Sequence, residues 1–165
     1  MNKPVPRLRI EYLADRPDCV RVLANWFHDQ WGYLSPERNL DDRIEQLRKQ
    51  TNRTQIPVTF VAFDGDDPVG SASLVESDMD TRPDLSPWLA NVYVAISHRN
   101  RGIGAKLVNR VLDEADSYGF TTIYLWTPDK KSFYEKRGWT VMETTIYRNE
   151  HATVMSSPVP RHSQK

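Results

Sequence analysis

The stretch from residue 88 to 126 constrains the fold more than any other part of the chain. It reads as an apolar strand (88–96), then "HRNRGIG" from His98 with two glycines one residue apart. A helix follows in which Ile103, Leu107, Val108, Val111, Leu112 and Ala115 recur every three or four residues until Gly119, and then a second strand (122–126). That spacing puts the apolar side chains on one helix face. Two strands joined through a helix cannot be hairpin partners. The crossover brings the chain back in the same direction and asks for a parallel pair.

The remaining pattern surrounds that unit with antiparallel structure. Residues 7–13 alternate, with Leu8, Ile10 and Tyr12 on one face. Val20, Leu23, Ala24, Phe27 and Trp31 then follow at helical spacing up to Gly32. Ser35 is the expected N-cap of a second helix, with Pro36 in its first turn and Leu40, Ile44 and Leu47 on its apolar face. Strands at 58–63 and 69–75 are joined by the turn residues of 64–68. Thr127-Pro128-Asp129 opens a short helix that stops at Gly138, and strands at 139–146 and 152–156 complete the pattern. The predicted order is β-α-α-β-β-β-α-β-α-β-β. The fold class is α/β, a mixed central sheet with flanking helices rather than a doubly wound parallel one. One domain is expected over 7–156, with 157–165 a disordered tail holding two prolines and no pattern.

Lys and Arg number 22 and Asp and Glu also 22, so no net charge draws the 165-residue chain to nucleic acid or membrane. The single cysteine, Cys19, excludes an intrachain disulfide and is read as a buried thiol. No N-terminal apolar run suggests a signal peptide, and no stretch approaches the ~18 apolar residues of a membrane helix. A cytoplasmic location is expected. The four histidines show no metal-ligand spacing, so no metal site is expected. The oligomeric state is not legible.

The glycine loop admits two readings. A strand, a glycine loop and a helix start expose unpaired backbone N–H groups carrying roughly half a positive charge, which favours phosphate; the other reading is a plain strand-to-helix turn. The dinucleotide fingerprint fails because its third glycine would stand at Leu107, and the Walker loop fails on spacing. A third pattern fits. Arg-x-x-Gly-x-Gly at 99–104 resembles the acetyl-coenzyme A signature of the GNAT family of N-acetyltransferases. The later "TPDKKSFYEKRGW" is similar to that family's "FYxxxGF" element, with Phe133, Tyr134, Gly138 and Trp139 at the matching positions. The resemblance extends from Leu8 to about Ser156.

That resemblance implies the GNAT fold and direct transfer of an acetyl group from acetyl-CoA, as co-substrate, to a primary amine. The acceptor would be a small molecule or a peptide or protein amine. The pantetheine arm would pair with Val92, Tyr93 and Val94, and the cofactor-binding loop would comprise Arg99, Asn100, Arg101, Gly102, Ile103, Gly104 and Ala105. Tyr134 is the implied catalytic acid, because a phenol stays protonated at neutral pH. Two departures stand out: Thr127 occupies a position where the family often has Asn, and 88–96 holds no carboxylate to act as base. Glu76, Asp78 and Asp80, which share a face if their strand stays extended, and His28 are the alternative base candidates. Glu76, Asp78, Asp80 and Asp84 would also steer a cationic amine. Trp26, Trp31, Tyr33 and Trp88 either wall the acceptor pocket or belong to the core. The rival reading is a non-catalytic acyl-CoA-binding regulatory module; a nucleotide-binding module is a weaker one.

Overall fold

A computed structural model describes residues 7–161. In chain order the elements are β1 (Leu8–Tyr12), α1 (Val20–Trp31), α2 (Leu40–Arg48), β2 (Val58–Asp64), β3 (Asp67–Val75) and β4 (Trp88–Val94). There follow α3 (Ile103–Ser117), β5 (Thr122–Thr127), α4 (Lys131–Glu135), β6 (Thr140–Tyr147) and β7 (Glu150–Pro158). The strands form one sheet in the order β1-β2-β3-β4-β5-β7-β6. Only β4 and β5 run parallel, the pair demanded by the α3 crossover.

β2 is buried without interruption over 58–63 because both of its faces are covered. Val58, Phe60 and Ala62 face α3, meeting its Leu107, Val108, Val111 and Ala115. Val61 and Phe63 face the opposite way, against Leu23 and Phe27 of α1 and Ile44 and Leu47 of α2. Each fully buried Val, Leu, Ile or Phe among them contributes about 1.5–3 kcal/mol. Cys19 is buried on the α1 side, where desolvation pushes its thiol up. One charge enters the α3 layer: Glu114 is buried, paired with Arg110 at 2.8 Å, and accepts hydrogen bonds from the Tyr12 and Tyr118 hydroxyls at 3.0 and 3.1 Å. No described helix is long and apolar enough to cross a membrane.

Most boundaries shift by one or two residues, and two differences from the sequence reading have a clear physical cause. α2 begins at Leu40 and not after Ser35, because Asn39 and Asp42 form a capping box. The Asn39 side chain accepts from the Asp42 N–H at 2.9 Å, and the Asp42 carboxylate accepts from the Asn39 N–H at 3.0 Å. Two helix-terminal donors satisfied reciprocally outweigh a Ser-Pro start. The expected tail does not begin at 157: Ser157 and Pro158 end β7, paired with β5, and the Val159 N–H donates to the Thr121 carbonyl at 2.9 Å. Its last residues, 162–165, lie outside the described residues. β6 and β7 turn through Arg148 and Asn149, both at positive φ, the two-residue connection that matches strand twist.

β3 passes β4 and α3 closely at Gly70, where a Cβ would stand 2.8 Å from the Tyr93 carbonyl oxygen and 3.0 Å from Leu107 Cδ1. Backbone cannot yield as a flexible side chain would. Gly70→Ala is expected to lower stability by about 1–3 kcal/mol, read as a reduced urea midpoint.

Candidate active site

The site begins with a defect in β4. Ser73 of β3 pairs with Ala90, but Ser71 pairs with Tyr93, so Asn91 and Val92 together oppose Ala72 in a bulge. Asn91 adopts φ 56°, a left-handed conformation that asparagine tolerates better than most residues. A buried polar network fixes it there. Its carbonyl accepts from Ser71 Oγ at 2.8 Å, and its Nδ2 donates to Ser73 Oγ at 3.2 Å and to Gln50 Oε1 at 3.4 Å. Thr59 joins Ser73 at 2.8 Å. Twisted by the bulge, β4 leaves β5: the two pair only at Trp88 and Tyr124, and they diverge beyond it. A cavity of about 670 Å³ runs through the gap, from the α3 face of the sheet to the α1–α2 face.

On the α3 face the glycine loop supplies the wall. Arg99, Asn100, Gly102, Ile103, Gly104 and Ala105 line the cavity, and so do Val92, Tyr93 and Val94 of β4; Arg101 does not. Gly102 stands at φ 80° as the residue before α3, and no side chain caps the first turn, so its amides keep their donors for another partner. A Cβ on Gly104 would lie 3.5 Å from the Phe133 ring and 3.7 Å from Val94, which is ordinary contact. Arg99 is folded back, its Nε donating to the Val94 carbonyl at 2.8 Å. His98 Nε2 is held 3.0 Å from Asp64.

Tyr134 is brought to the gap by α4, whose approach depends on Thr127. The Thr127 hydroxyl accepts from the Asp129 and Lys130 N–H groups at 3.3 and 2.9 Å, so the chain turns as β5 ends. Tyr134 is buried against Trp139, edge to face at 5.7 Å, and it lines the cavity without a hydrogen bond to a described residue. Burial holds its phenol well above the ordinary value near 10, with Asp129 adding to the effect and Arg137 opposing it.

The four carboxylates of 76–84 part company. β3 ends at Val75, so the chain bends and Glu76, Asp78 and Asp80 do not share a strand face. Glu76 is exposed outside the cavity, and Asp84 is held 3.1 Å from Arg82, which pulls its carboxyl down. Asp80 lines the cavity but accepts from the Tyr147 hydroxyl at 2.8 Å. Asp78, half-buried, lines it too, on a loop tied down by Trp126 Nε1 donating to the Asp78 carbonyl at 3.0 Å. Desolvation pushes its carboxyl from 3.8 up to about 7 against the opposing pull of Trp126 and Arg148. His28 is outside the cavity, its Nδ1 accepting from Arg43 Nε at 3.1 Å. Of the candidate aromatic walls only Trp31 lines the cavity. Trp26 stacks on Tyr93 at 5.0 Å, Trp88 is fully buried core, and Tyr33 is exposed.

Sequence reasoning missed Asn91, whose left-handed tolerance is a weak local signal. It also missed Arg38, Arg43 and Arg148, which line the α1–α2 side. Arg148 reaches across from the β6–β7 turn, donating to Leu34 O at 3.4 Å and to Ser35 Oγ at 3.3 Å.

Residues 20–139 match the model of the acetyltransferase (GNAT) family. Comparison with curated proteins finds no match. Among solved structures, an aminoglycoside 6'-N-acetyltransferase complexed with coenzyme A is 21% identical. The match covers 93% of this chain and 98% of that one, with a TM-score of 0.74. The yncA protein of Salmonella typhimurium, solved with its cofactor acetyl-CoA, is 19% identical over 96% and 98% of the two chains, with a TM-score of 0.69. A spermidine N-acetyltransferase from Vibrio cholerae, in complex with CoA and spermine, is 20% identical over 93% and 96%, with a TM-score of 0.69. At these identities the likeness shows a shared fold.

Asp78 also leaves a mark on stability. Its folded value lies above that of an unfolded chain, so between about pH 4 and about pH 7 the folded protein holds a proton the unfolded one has lost. This group therefore makes stability fall as pH rises through that window. Asp78→Asn, which cannot ionise, is expected to flatten the fall and to raise the urea midpoint near pH 8, with no gain near pH 4.

Proposed function

The chain belongs to the GNAT family of acetyl-CoA-dependent acetyltransferases, and on that premise we propose that it acetylates a primary amine of a small molecule or peptide by direct transfer in the β4–β5 gap. One observation carries the reading. One cavity joins an uncapped helix N-terminus and β4 backbone not paired with β5 on one face of the sheet to a desolvated carboxylate on the other, and Tyr134 lines it too. Solved neighbours that act on aminoglycosides and spermidine support an amine acceptor.

The residues present fit acetyl-CoA. The amides of 101–105 point at the start of α3, where helix dipole and free donors favour a pyrophosphate. Gly104 leaves that surface open, and Val92, Tyr93 and Val94 present edge backbone to which an amide-bearing arm can pair. Acetyl-CoA supplies an activated thioester. A β4 backbone N–H polarises its carbonyl as an oxyanion-hole donor.

Two protons must move, and the site separates their carriers. Tyr134, kept protonated by burial, donates to the leaving sulfur. Asp78 accepts from the amine. Taking a proton from an alkyl ammonium of pKa ~10.4 costs about 9 kcal/mol against a carboxylate at 3.8, but about 5 kcal/mol against one at about 7. Desolvation is what makes this aspartate a usable base.

Gly104→Glu is expected to weaken acetyl-CoA binding at least tenfold in calorimetry, about 1.4 kcal/mol, while Gly104→Ala folds and binds. Unchanged affinity in the glutamate variant overturns the placement of the pyrophosphate. The function itself is tested by thiol release from acetyl-CoA over a panel of amines. Tyr134→Phe is expected to lose roughly 10²-fold in kcat with little change in acetyl-CoA affinity. In the parent, kcat/KM for the acceptor should rise with pH through about 7, and Asp78→Asn should remove that limb. A parent that binds acetyl-CoA yet acetylates no amine is the regulatory module instead.

A further inference from the structure

On the α1–α2 face the cavity wall carries a pair of arginines, Arg38 and Arg43, that make no ion pair with a described carboxylate. Among the described residues seven arginines meet a carboxylate within 4.0 Å; Arg38 and Arg43, both lining the cavity, do not, and neither do Arg99 and Arg137 elsewhere in its lining. Arg43 is half-buried. Its Nε donates to His28 Nδ1 at 3.1 Å and its Nη2 to the Ser35 carbonyl at 3.3 Å, while Nη1 has no partner among the described residues. Arg38, more exposed, is held by Gln46, its Nη1 donating to Oε1 at 2.5 Å. Both guanidinium groups are thus oriented by neutral acceptors and keep their charge unspent. Desolvation first, and the like charge of Arg38 second, pull Arg43 down against the smaller opposing effects of Glu37 and Asp42. Such a placement is costly unless an anion completes it.

The anion is not the pyrophosphate of acetyl-CoA, because α2 packs on the sheet face opposite α3 and its glycine loop. It belongs to the other substrate. We propose that Arg43, with Arg38 beside it, binds an anionic group of the acceptor, so that the acceptor is an amine that also carries a carboxylate or a phosphate. This rests on the acetyl-transfer reading of the same cavity. The two arginines hold the anion by charge-assisted hydrogen bonds from the guanidinium fork. The ammonium end is left to Asp78, the half-buried carboxylate in the same cavity. A purely cationic acceptor would set its charge against this wall, so the acidic residues of 76–84 are not the whole of recognition. Arg82 already occupies Asp84, and Tyr147 already occupies Asp80.

The test compares four acceptors: γ-aminobutyrate, phosphoethanolamine, putrescine and butylamine. One of the two anionic amines should exceed butylamine at least tenfold in kcat/KM, the scale of a hydrogen bond to a charged group; which of the two wins identifies the anion as carboxylate or phosphate. Arg43→Gln and Arg38→Gln should each reduce that ratio severalfold or more, with Arg43→Lys retaining most of it, and Arg38→Glu should shift preference toward putrescine. Arg38 is a surface side chain, so its variants report even where Arg43→Gln impairs folding. Putrescine or butylamine as the best acceptor, or a ratio untouched by both glutamine variants, overturns the proposal. Calorimetric titration of γ-aminobutyrate and phosphoethanolamine into the CoA-saturated protein reads the anion site without turnover. Binding lost in Arg38→Gln supports the site even if no acetyl transfer occurs, which overturns only the acetyl-transfer reading; no binding to the parent overturns the site alone.

Discussion

The opening in the sheet depends on the left-handed turn of one residue, Asn91, in the middle of β4. A regular strand there would have continued to pair with β5 and the sheet would be closed. The bulge breaks that pairing after Trp88 and opens the space that becomes the cavity. A bulge exposes polar backbone, and here Ser71 Oγ satisfies the Asn91 carbonyl while the Asn91 side chain joins Thr59, Ser73 and Gln50 in one hydrogen-bonded network. The network draws on β2, β3, β4 and the end of α2, so the opening is braced from the whole α1–α2 side of the sheet.

The same environment tunes two groups to opposite ends. Dry surroundings penalise charge, so a phenol at Tyr134 is held protonated and a carboxylate at Asp78 is raised toward neutrality. Both shifts have desolvation as their largest cause. Pairs of titratable groups whose surroundings set their protonation independently mark sites of proton transfer. Asp80 and Asp84 show the alternative fate: a tyrosine or an arginine occupies each of them.

By itself the sequence determined the order of elements, the parallel crossover and the glycine loop at the head of α3, because periodicity and turn chemistry are local properties. The second helix start was misread for the same reason. Two local signals competed, and the capping box from Asn39 to Asp42 beat Ser35-Pro36 by satisfying more donors. Tyr134 was singled out through the resemblance of "FYEKRGW" to a family element, and it does line the cavity.

Which carboxylate reaches the cavity was not legible, because that depends on where β3 stops and how 76–80 folds against Trp126 and Tyr147 of distant strands. Nor was the Asn91 bulge, whose cause lies in partners 18 to 41 residues away in the chain. The arginine wall is of the same kind. Arg38 and Arg43 are ordinary surface residues in the sequence, and only the seating of α2 and the turn before it places them in the cavity wall. Desolvation and charge pairing are sums over neighbours in space, and the chain's order does not list those neighbours.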